Sequence, residues 1–205
     1  DSHPRALSAE RALRLPAVVT ARSDDGLDCS LTALAVSPRA DGAGLVLLAS
    51  PQGCARLGLT PRARWLGGLA LGGAPEVPLA AAARASQALL ARHGLHAGQL
   101  AAIELHDAFA VQALDFAHVL GQPAERLNRR GGGLARGHPI GASAAIALVR
   151  LLADLARDEA PGALGLASAA GAGGIGTAAL VERLAGISPA PVSYTHLRAH
   201  ETPEH

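Results

Sequence analysis

Two histidines stand in short motifs that suit acid–base chemistry. His138 lies in residues 137–143, Gly-His-Pro-Ile-Gly-Ala-Ser, just before a segment with helical periodicity. The flanking glycines let the backbone approach a ligand, and free N–H groups at a helix start favour a developing negative charge. A neutral imidazole held there can take a proton from a thiol or stabilise an oxyanion. A histidine that only caps a turn is the structural alternative.

The second motif is residues 104–109, Glu-Leu-His-Asp-Ala-Phe, in which His106 follows a strand-like segment. Sites in α/β folds usually open at the carboxyl ends of strands, so His106 is a candidate site residue. By itself it fits an edge histidine equally well. Asp107 is expected to cap the helix that follows. The spaced glycines of residues 171–176 lack a strand-turn-helix unit with a downstream acid, which argues against a dinucleotide fingerprint.

Metal chemistry has weak support in the sequence. Cys29 and Cys54 form no CxxC pair, and their context predicts a reducing cytoplasm. His196 and His200 are four residues apart and could share a helix face, but no third ligand accompanies them. Residues 191–205 are instead expected to be a disordered tail, and 192–202 resemble translated sequencing-adaptor read-through. We therefore predict no metal site.

The composition restricts the remaining classes of protein. The 205 residues are 49% hydrophobic and 17% charged with a formal net charge of +1, which offers no broad basic surface for nucleic acid or an anionic membrane. The uncharged stretch 161–181 is built from small residues, so buried strands around a glycine turn are expected rather than a membrane span. The absence of methionine and of lysine indicates a fragment from a GC-rich bacterial genome.

The elements that must hold the two histidines alternate along the chain. Strands are predicted at 45–49, within 61–73, and at 101–105, 162–169 and 176–182. Helices are predicted from Pro51 to Gly58, and at 79–93, 109–120 and 142–156. Residues up to 41 receive no regular assignment. This alternation predicts an α/β layered fold.

The order of the motifs resembles the C-terminal half of the thiolases, acyltransferases that cleave 3-ketoacyl-CoA or condense two acyl-CoAs. Residues 30–43 resemble the family's Ser-Gly-Leu-Asn-Asp-Gly-Ala segment, and 104–109 its Asn-Glu-Ala-Phe motif. Residues 128–143 resemble its Gly-His-Pro block, and 171–176 its terminal glycine loop. The similarity covers roughly residues 10–184. It implies a layered αβαβα fold in which residues 1–60 finish the N-terminal half, 61–184 form the C-terminal domain and 185–205 are a tail.

The resemblance also implies roles for individual residues. His138 matches the base that deprotonates the nucleophilic cysteine, and His106 matches the asparagine of an oxyanion hole. Ser37, Phe109 and Gly173 match positions that contact CoA or substrate. A CoA thioester is then the substrate, with no metal or redox cofactor. Family members act in fatty acid metabolism and are usually homodimers or homotetramers.

Two departures from the family pattern limit this reading. Cys29 and Cys54 match no family nucleophile, so the chain is expected to be inactive alone, as part of a longer parent. Ala170 replaces the cysteine that moves the α-proton in most thiolases, and the nearby Ser168 hydroxyl is a poor base. Either His106 and His138 share the proton transfers, or the protein is a degenerate subunit that binds acyl-CoA or a partner without turnover.

Overall fold

A computed structural model describes residues 7–185 of the protein. Its helices are α1 (Ala9–Leu13), α2 (Pro51–Leu57), α3 (Ala81–Arg92), α4 (Ala110–Val119), α5 (Gly133–Arg136) and α6 (Ser143–Asp158). Its strands are β1 (Ala17–Val19), β2 (Leu31–Thr32), β3 (Ala63–Gly72), β4 (Leu100–Leu105), β5 (Leu164–Gly171) and β6 (Ile175–Arg183). Helices and strands interleave, which confirms the predicted α/β class.

Four of the strands form one sheet with the order β3-β6-β5-β4. β6 runs antiparallel to both β3 and β5, whereas β4 and β5 are parallel. A parallel pair needs a long crossover connection, which here contains α4, α5 and α6. The carboxyl ends of β4 and β5 therefore lie at the same edge of the sheet.

Helices cover both faces of this sheet. The larger core lies on the face of α3, where Leu89 packs with Leu105 and Leu180. The smaller core lies on the face of α6, where Leu151 and Leu155 pack against Val181 and alanines of β4 and β5. Successive side chains of a strand point to opposite faces, so the continuous apolar runs of these strands fill both cores.

Helix termini follow the signals in the sequence. Ser50 accepts a hydrogen bond from the Gly53 N–H at the start of α2, Pro51 occupies the first turn, and Gly58 ends the helix with φ 62°. α3 buries Ala82, Ala83, Ser86, Leu89 and Leu90, the face that the periodicity predicts. The predicted helices at 51–57, 79–93, 109–120 and 142–156 and the strands from residue 61 onward are confirmed to within a few residues.

The strand prediction at 45–49 is wrong. These residues have no regular structure, and Leu45, Leu47 and Leu48 are 90%, 69% and 68% exposed. A strand is stabilised by ladder hydrogen bonds and by packing of its side chains, and no described strand lies beside this segment. The apolar sequence of residues 45–49 is therefore not sufficient to form a strand when no described strand pairs with it.

Two further predictions concern spans and the tail. Among the described residues, no helix is both long and apolar enough to cross a membrane. The predictions for the tail, with His196 and His200, fall beyond residue 185 and so lie outside the described residues.

Candidate functional site

His106 extends the carboxyl end of β4 by one residue. Its N–H donates to the Ser168 carbonyl of β5 at 2.9 Å, which continues the parallel ladder past Leu105. The residue is 8% exposed. The sheet thus fixes the backbone of His106 at the edge where β4 and β5 end, as the sequence predicts.

His138 is held by a turn that crosses a segment from earlier in the chain. Its N–H donates to the Pro38 carbonyl at 2.7 Å, and it forms a parallel bridge with Arg39. Gly137, just before it, has φ 94°, and a Cβ there would lie 2.6 Å from the Ala40 Cβ. Only glycine satisfies both conditions, so the glycine before His138 is a requirement of the backbone path.

The structure brings the two histidines into direct contact. His106 Nε2 lies 2.6 Å from His138 Nδ1, with the ring centroids 4.5 Å apart and an angle of 23° between the ring planes. His138 Nδ1 also lies 3.3 Å from the hydroxyl of Ser143, the first residue of α6. Two motifs that are 32 residues apart in sequence therefore form one hydrogen-bonded group.

Burial lowers the pKa of His106 to about 4, and the nearby charges of His138 and Arg136 add to this shift. Transfer from water penalises the charged imidazolium more than the neutral ring. At neutral pH His106 is therefore an uncharged imidazole with one protonated nitrogen.

Asp107 does not cap α4, contrary to the prediction. Its carboxylate accepts a hydrogen bond from the Gly133 N–H, and its pKa is raised by burial against the effect of that bond. The N-cap position of α4 is Phe109, which makes no side-chain capping bond, and Gln112 accepts the Ala108 N–H instead. The reason is proximity, because the loop at Gly133 lies so close to residues 106 and 107 that a Cβ at Gly133 would be 2.8 Å from the Asp107 carbonyl oxygen.

The other predicted site residues lie around this group at different distances. Ser37 donates its hydroxyl to the Gly133 carbonyl at 2.6 Å, and its N–H bonds to the Ala108 carbonyl. Phe109 bridges to Val36 and is partly buried. Gly173 is exposed in the β5–β6 turn, with φ 82°, beyond the edge where His106 lies. Ser37 and Phe109 thus adjoin the loops of the histidine pair, whereas Gly173 is not in that contact network.

Ala170 and Ser168 offer no acid or base to the pair. Ala170 pairs with Gly176 across the β5–β6 ladder and packs against the larger core. The Ser168 hydroxyl donates to the Thr177 carbonyl at 2.8 Å and lies 3.0 Å from the Ser86 hydroxyl. It is committed to structural bonds inside the sheet.

A cavity of about 200 Å³ opens beside His106. Its walls are Asp41, Leu105, His106, Gly133, Arg136, Gly137, Pro139, Ser143, Ile146 and Ala147. Asp41, Arg136 and Ser143 have no role in the sequence-based prediction. The signals for Ser143 and Asp41 were their places in the Gly-His-Pro motif and in the segment 30–43, whereas nothing in the sequence singles out Arg136.

A buried ionic group lies two residues before His106, on β4. The Glu104 carboxylate accepts from Arg150 Nε at 3.2 Å, and its second oxygen has no hydrogen-bond partner among the described residues. Burial raises the pKa of Glu104 to about 7, Arg150 opposes the rise and Asp154 adds to it. Arg150 and Arg136 both donate to the Gly131 carbonyl, which ties this group to the glycine loop under the histidines.

The outer edge of β4 is occupied by the loop after α4. Asn128 has φ 48°; its N–H donates to the Ile103 carbonyl at 3.0 Å, and its side-chain oxygen accepts the Leu105 N–H at 2.8 Å. Leu127 bridges to Ile103 in parallel. The strand that carries His106 is therefore hydrogen-bonded on both sides.

Within residues 7–185, no group of three or more histidine, cysteine, aspartate or glutamate side chains could hold a metal ion. The chemistry that the arrangement offers is proton transfer through two imidazoles, together with hydrogen bonding to an oxyanion.

Comparison with known proteins gives consistent results. The family model for the thiolase C-terminal domain matches residues 59–183. The acetyl-CoA acetyltransferase of Chromobacterium violaceum is 40% identical over 156 residues, which are 76% of this chain and 39% of the relative. The β-ketoadipyl-CoA thiolase of Pseudomonas aeruginosa is 36% identical over 90% of this chain and 45% of its own length.

Solved structures agree with these relatives. Human mitochondrial 3-ketoacyl-CoA thiolase in complex with CoA matches with a TM-score of 0.80 and 30% identity, over 89% of this chain and 45% of that one. The Bacillus anthracis acetyl-CoA acetyltransferase matches with a TM-score of 0.79 and 33% identity, over 90% and 45%. The thiolase-like fold is thereby confirmed, and the chain spans less than half the length of these four proteins.

Proposed function

Because the chain belongs to the thiolase family of acyltransferases, we propose that it is part of a longer enzyme that acts on acyl-CoA thioesters. In this proposal residues 1–60 finish the N-terminal half and residues 61–184 form the C-terminal domain. The nucleophilic cysteine is supplied by a region of the parent outside this chain, and the chain alone is inactive. The substrate is a CoA thioester, and the reaction needs no further cofactor, as in the family.

The contact between His106 and His138 carries the proposal. His106 is buried beside the cavity, His138 is partly buried, and their ring nitrogens lie 2.6 Å apart, so the pair can move protons at neutral pH. Sequence motifs that lie far apart meet there because the sheet and the glycine turns hold both backbones.

The proposed first step is acyl transfer to cysteine. His138 takes the thiol proton, and the thiolate attacks the thioester carbonyl to form a tetrahedral oxyanion. An N–H of His106 donates to that oxygen. When the intermediate collapses, the C–S bond to CoA breaks, and the CoA thiolate recovers the proton from His138. Atoms and charge balance without a metal or an oxidant.

Proton removal from the α-carbon is assigned to the same pair. Ala170 cannot move a proton, and the Ser168 hydroxyl is committed within the sheet. We therefore propose that His106 and His138 share this transfer in a Cys-His-His arrangement. Ser37, Phe109 and Gly173 are assigned to the CoA or acyl side of the site.

A degenerate thiolase-like subunit is the second candidate, and Ala170 favours it. Such a subunit would bind acyl-CoA or a partner protein without turnover. The paired histidines favour the enzyme, because binding alone requires no pair of imidazoles in hydrogen-bond contact.

Acylation of the parent protein separates the two candidates. The parent with its upstream region is incubated with acetyl-CoA and digested, and the acyl-cysteine is quantified by mass spectrometry. The enzyme is expected to acylate one cysteine, and His138→Ala is expected to slow acylation by roughly 100-fold or more. His118→Ala, an exposed histidine on α4, is the control. Acylation of His138→Ala at the parent's rate would refute the role of His138.

Deuterium exchange tests the second step. Acyl-CoA incubated with the parent in deuterated water is expected to gain deuterium at the α-carbon. Acylation without exchange above background would favour loss of carbon–carbon chemistry. The absence of both acylation and exchange would favour the degenerate subunit. We also propose that the parent is a bacterial cytoplasmic enzyme of fatty acid metabolism and that it is a homodimer or homotetramer. Light scattering on the parent measures its oligomeric state.

A further inference from the structure

We propose that Ser143 is a positioning residue whose hydroxyl holds His138 in the tautomer that is protonated at Nδ1, so that Nε2 keeps its lone pair. The inference deepens the proposed function, and it depends on that function only for the meaning of Nε2 as a base. The relevant state is the pair of His106 and His138 without substrate, in which the contacts around His138 hold a limited number of protons.

The Ser143 hydroxyl has one proton, and that proton has a partner. The hydroxyl donates to the Pro139 carbonyl at 2.8 Å, one turn back at the start of α6. Only lone pairs of the same oxygen remain to face His138 Nδ1 at 3.3 Å. Ser143 is 6% exposed, so water does not readily replace these contacts. An attractive contact between the two therefore requires the proton on Nδ1.

The contact with His106 sets the same condition. At 2.6 Å, the two nitrogens of His106 and His138 must share one proton, because two lone pairs or two N–H groups would repel at that distance. The proton could belong to either ring if this contact stood alone. With the proton on His106 Nε2, however, the lone pair of His138 Nδ1 would face the lone pairs of Ser143. With the proton on His138 Nδ1, both neighbours act as acceptors and all three groups are satisfied.

His106 fits the acceptor role. Its ring is uncharged at neutral pH because burial disfavours the imidazolium. A neutral ring whose Nε2 accepts has its own proton at Nδ1. Any bond that His106 donates to an oxyanion in this state therefore comes from Nδ1–H.

The consequence for His138 is a lone pair at Nε2. His138 also lines a shallow depression with Arg39, Ala40, Asp41 and Ile140. Ser143 therefore selects which nitrogen of the ring can accept a proton, while it does not touch the reacting atoms itself. A hydroxyl at residue 143 is required, and the size of the side chain matters less.

Nitrogen NMR of the histidine rings tests the assignment on the 205-residue chain itself. The chain is labelled with ¹⁵N-histidine, and two-bond ¹H–¹⁵N spectra at pH 7.5 distinguish protonated from unprotonated ring nitrogens. We expect His138 to be protonated at Nδ1 in the wild type and in Ser143→Thr, which keeps the hydroxyl. In Ser143→Ala the Nε2-protonated form is expected to gain population by roughly fivefold, the equivalent of one hydrogen bond.

Ser86→Ala is the matched control, since Ser86 is also a buried helical serine that donates to a carbonyl four residues back. It is expected to leave the tautomer of His138 unchanged. A wild-type His138 protonated at Nε2 overturns the proposal without any variant, so the test survives if Ser143→Ala does not fold. An unchanged spectrum of folded Ser143→Ala also overturns it. The tautomer is read without turnover, so failure here is distinct from failure of the acylation test.

Discussion

The four-stranded sheet and the segment before it, residues 7–58, differ in what their apolar side chains touch. In the sheet region, Leu89 of α3, Leu151 of α6 and Leu166 and Leu180 of the strands are buried between layers. In the preceding segment Val18, Leu34, Leu45, Leu47 and Leu48 are all exposed, although their sequence is no less apolar. Burial, and with it most of the stabilising free energy, depends on a covering element as well as on hydrophobic residues.

Leucine truncation should give the largest difference between the two regions. Leu151→Ala removes a fully buried side chain between α6 and the sheet and is expected to lower the free energy of unfolding by about 3–4 kcal/mol. Leu47→Ala, at a 69% exposed position, is expected to change it by less than about 0.5 kcal/mol. Urea unfolding followed by circular dichroism measures both. Equal losses would mean that Leu47 is buried in solution.

The two regions should also differ in how pH affects stability. The pKa of Glu104 is about 7 in the folded chain and about 4.5 when unfolded, so between these values the folded state binds more protons and stability falls as pH rises. The contribution of Glu104 is expected to fall by about 2.5 kcal/mol from pH 5 to pH 8, and Glu104→Gln should remove this contribution and leave the opposite slope of His106.

Asp28 is the control in the segment before the sheet. A hydrogen bond from the Ser30 side chain lowers its pKa, but its carboxylate is fully exposed. Asp28→Asn should therefore keep the wild-type pH slope in urea titrations at pH 5, 6, 7 and 8. If Glu104→Gln keeps that slope as well, the buried carboxylate is not the source of the pH dependence.

His106 should give a slope of the opposite sign. Its folded pKa of about 4 lies below the unfolded value of 6.5, so the unfolded chain binds the extra proton in this window and stability is lost as pH falls. The contribution of His106 is expected to fall by about 1.5 kcal/mol from pH 6.5 to pH 5, which nearly cancels the gain from Glu104 over the same range in the wild type. His106→Asn should remove this contribution, so that its stability rises as pH falls from 6.5 to 5, whereas His118→Asn, at an exposed position, should keep the wild-type profile. Unfolding curves of His106→Asn that still weaken below pH 6.5 would contradict this.

Two helix-capping glycines provide the smallest and most closely matched test. Gly58 after α2 and Gly94 after α3 have φ values of 62° and 63°, and a Cβ would meet no atom within 4 Å at either. Alanine should therefore cost about 1 kcal/mol locally at both. α3 has seven buried residues and α2 has none, so only Gly94→Ala should lower the global free energy of unfolding. Gly58→Ala should instead speed hydrogen exchange of α2 amides alone.

Sequence patterns predicted the helix ends and the sheet region well because their signals are local. Pro51, Gly58 and Gly94 mark helix ends through their own backbone preferences, and the alanine face of α3 follows helical periodicity. The failure at 45–49 has the same origin. An apolar run predicts a strand only if a neighbouring strand supplies hydrogen bonds, and no local pattern contains that information.

The candidate site was predictable in its main groups but not in its connections. His106 and His138 follow from their motifs, whereas the hydrogen bond between them depends on a loop crossing at Pro38. Asp107 bonds across space to Gly133 in preference to the adjacent helix, and Arg136 enters the cavity wall from a short helix with no sequence signature. Contacts between distant segments depend on the tertiary fold, which spacing along the chain does not describe.

Asn128 has a consequence for self-association. An edge strand with free N–H and C=O groups is a template on which another chain can add a strand. Along β4, Asn128 occupies the Ile103 carbonyl and the Leu105 N–H, and Arg126 occupies the Leu100 carbonyl. The strand that ends at His106 is thus closed to recruitment of a further strand, so the edge that presents the two imidazoles is protected from intermolecular sheet extension.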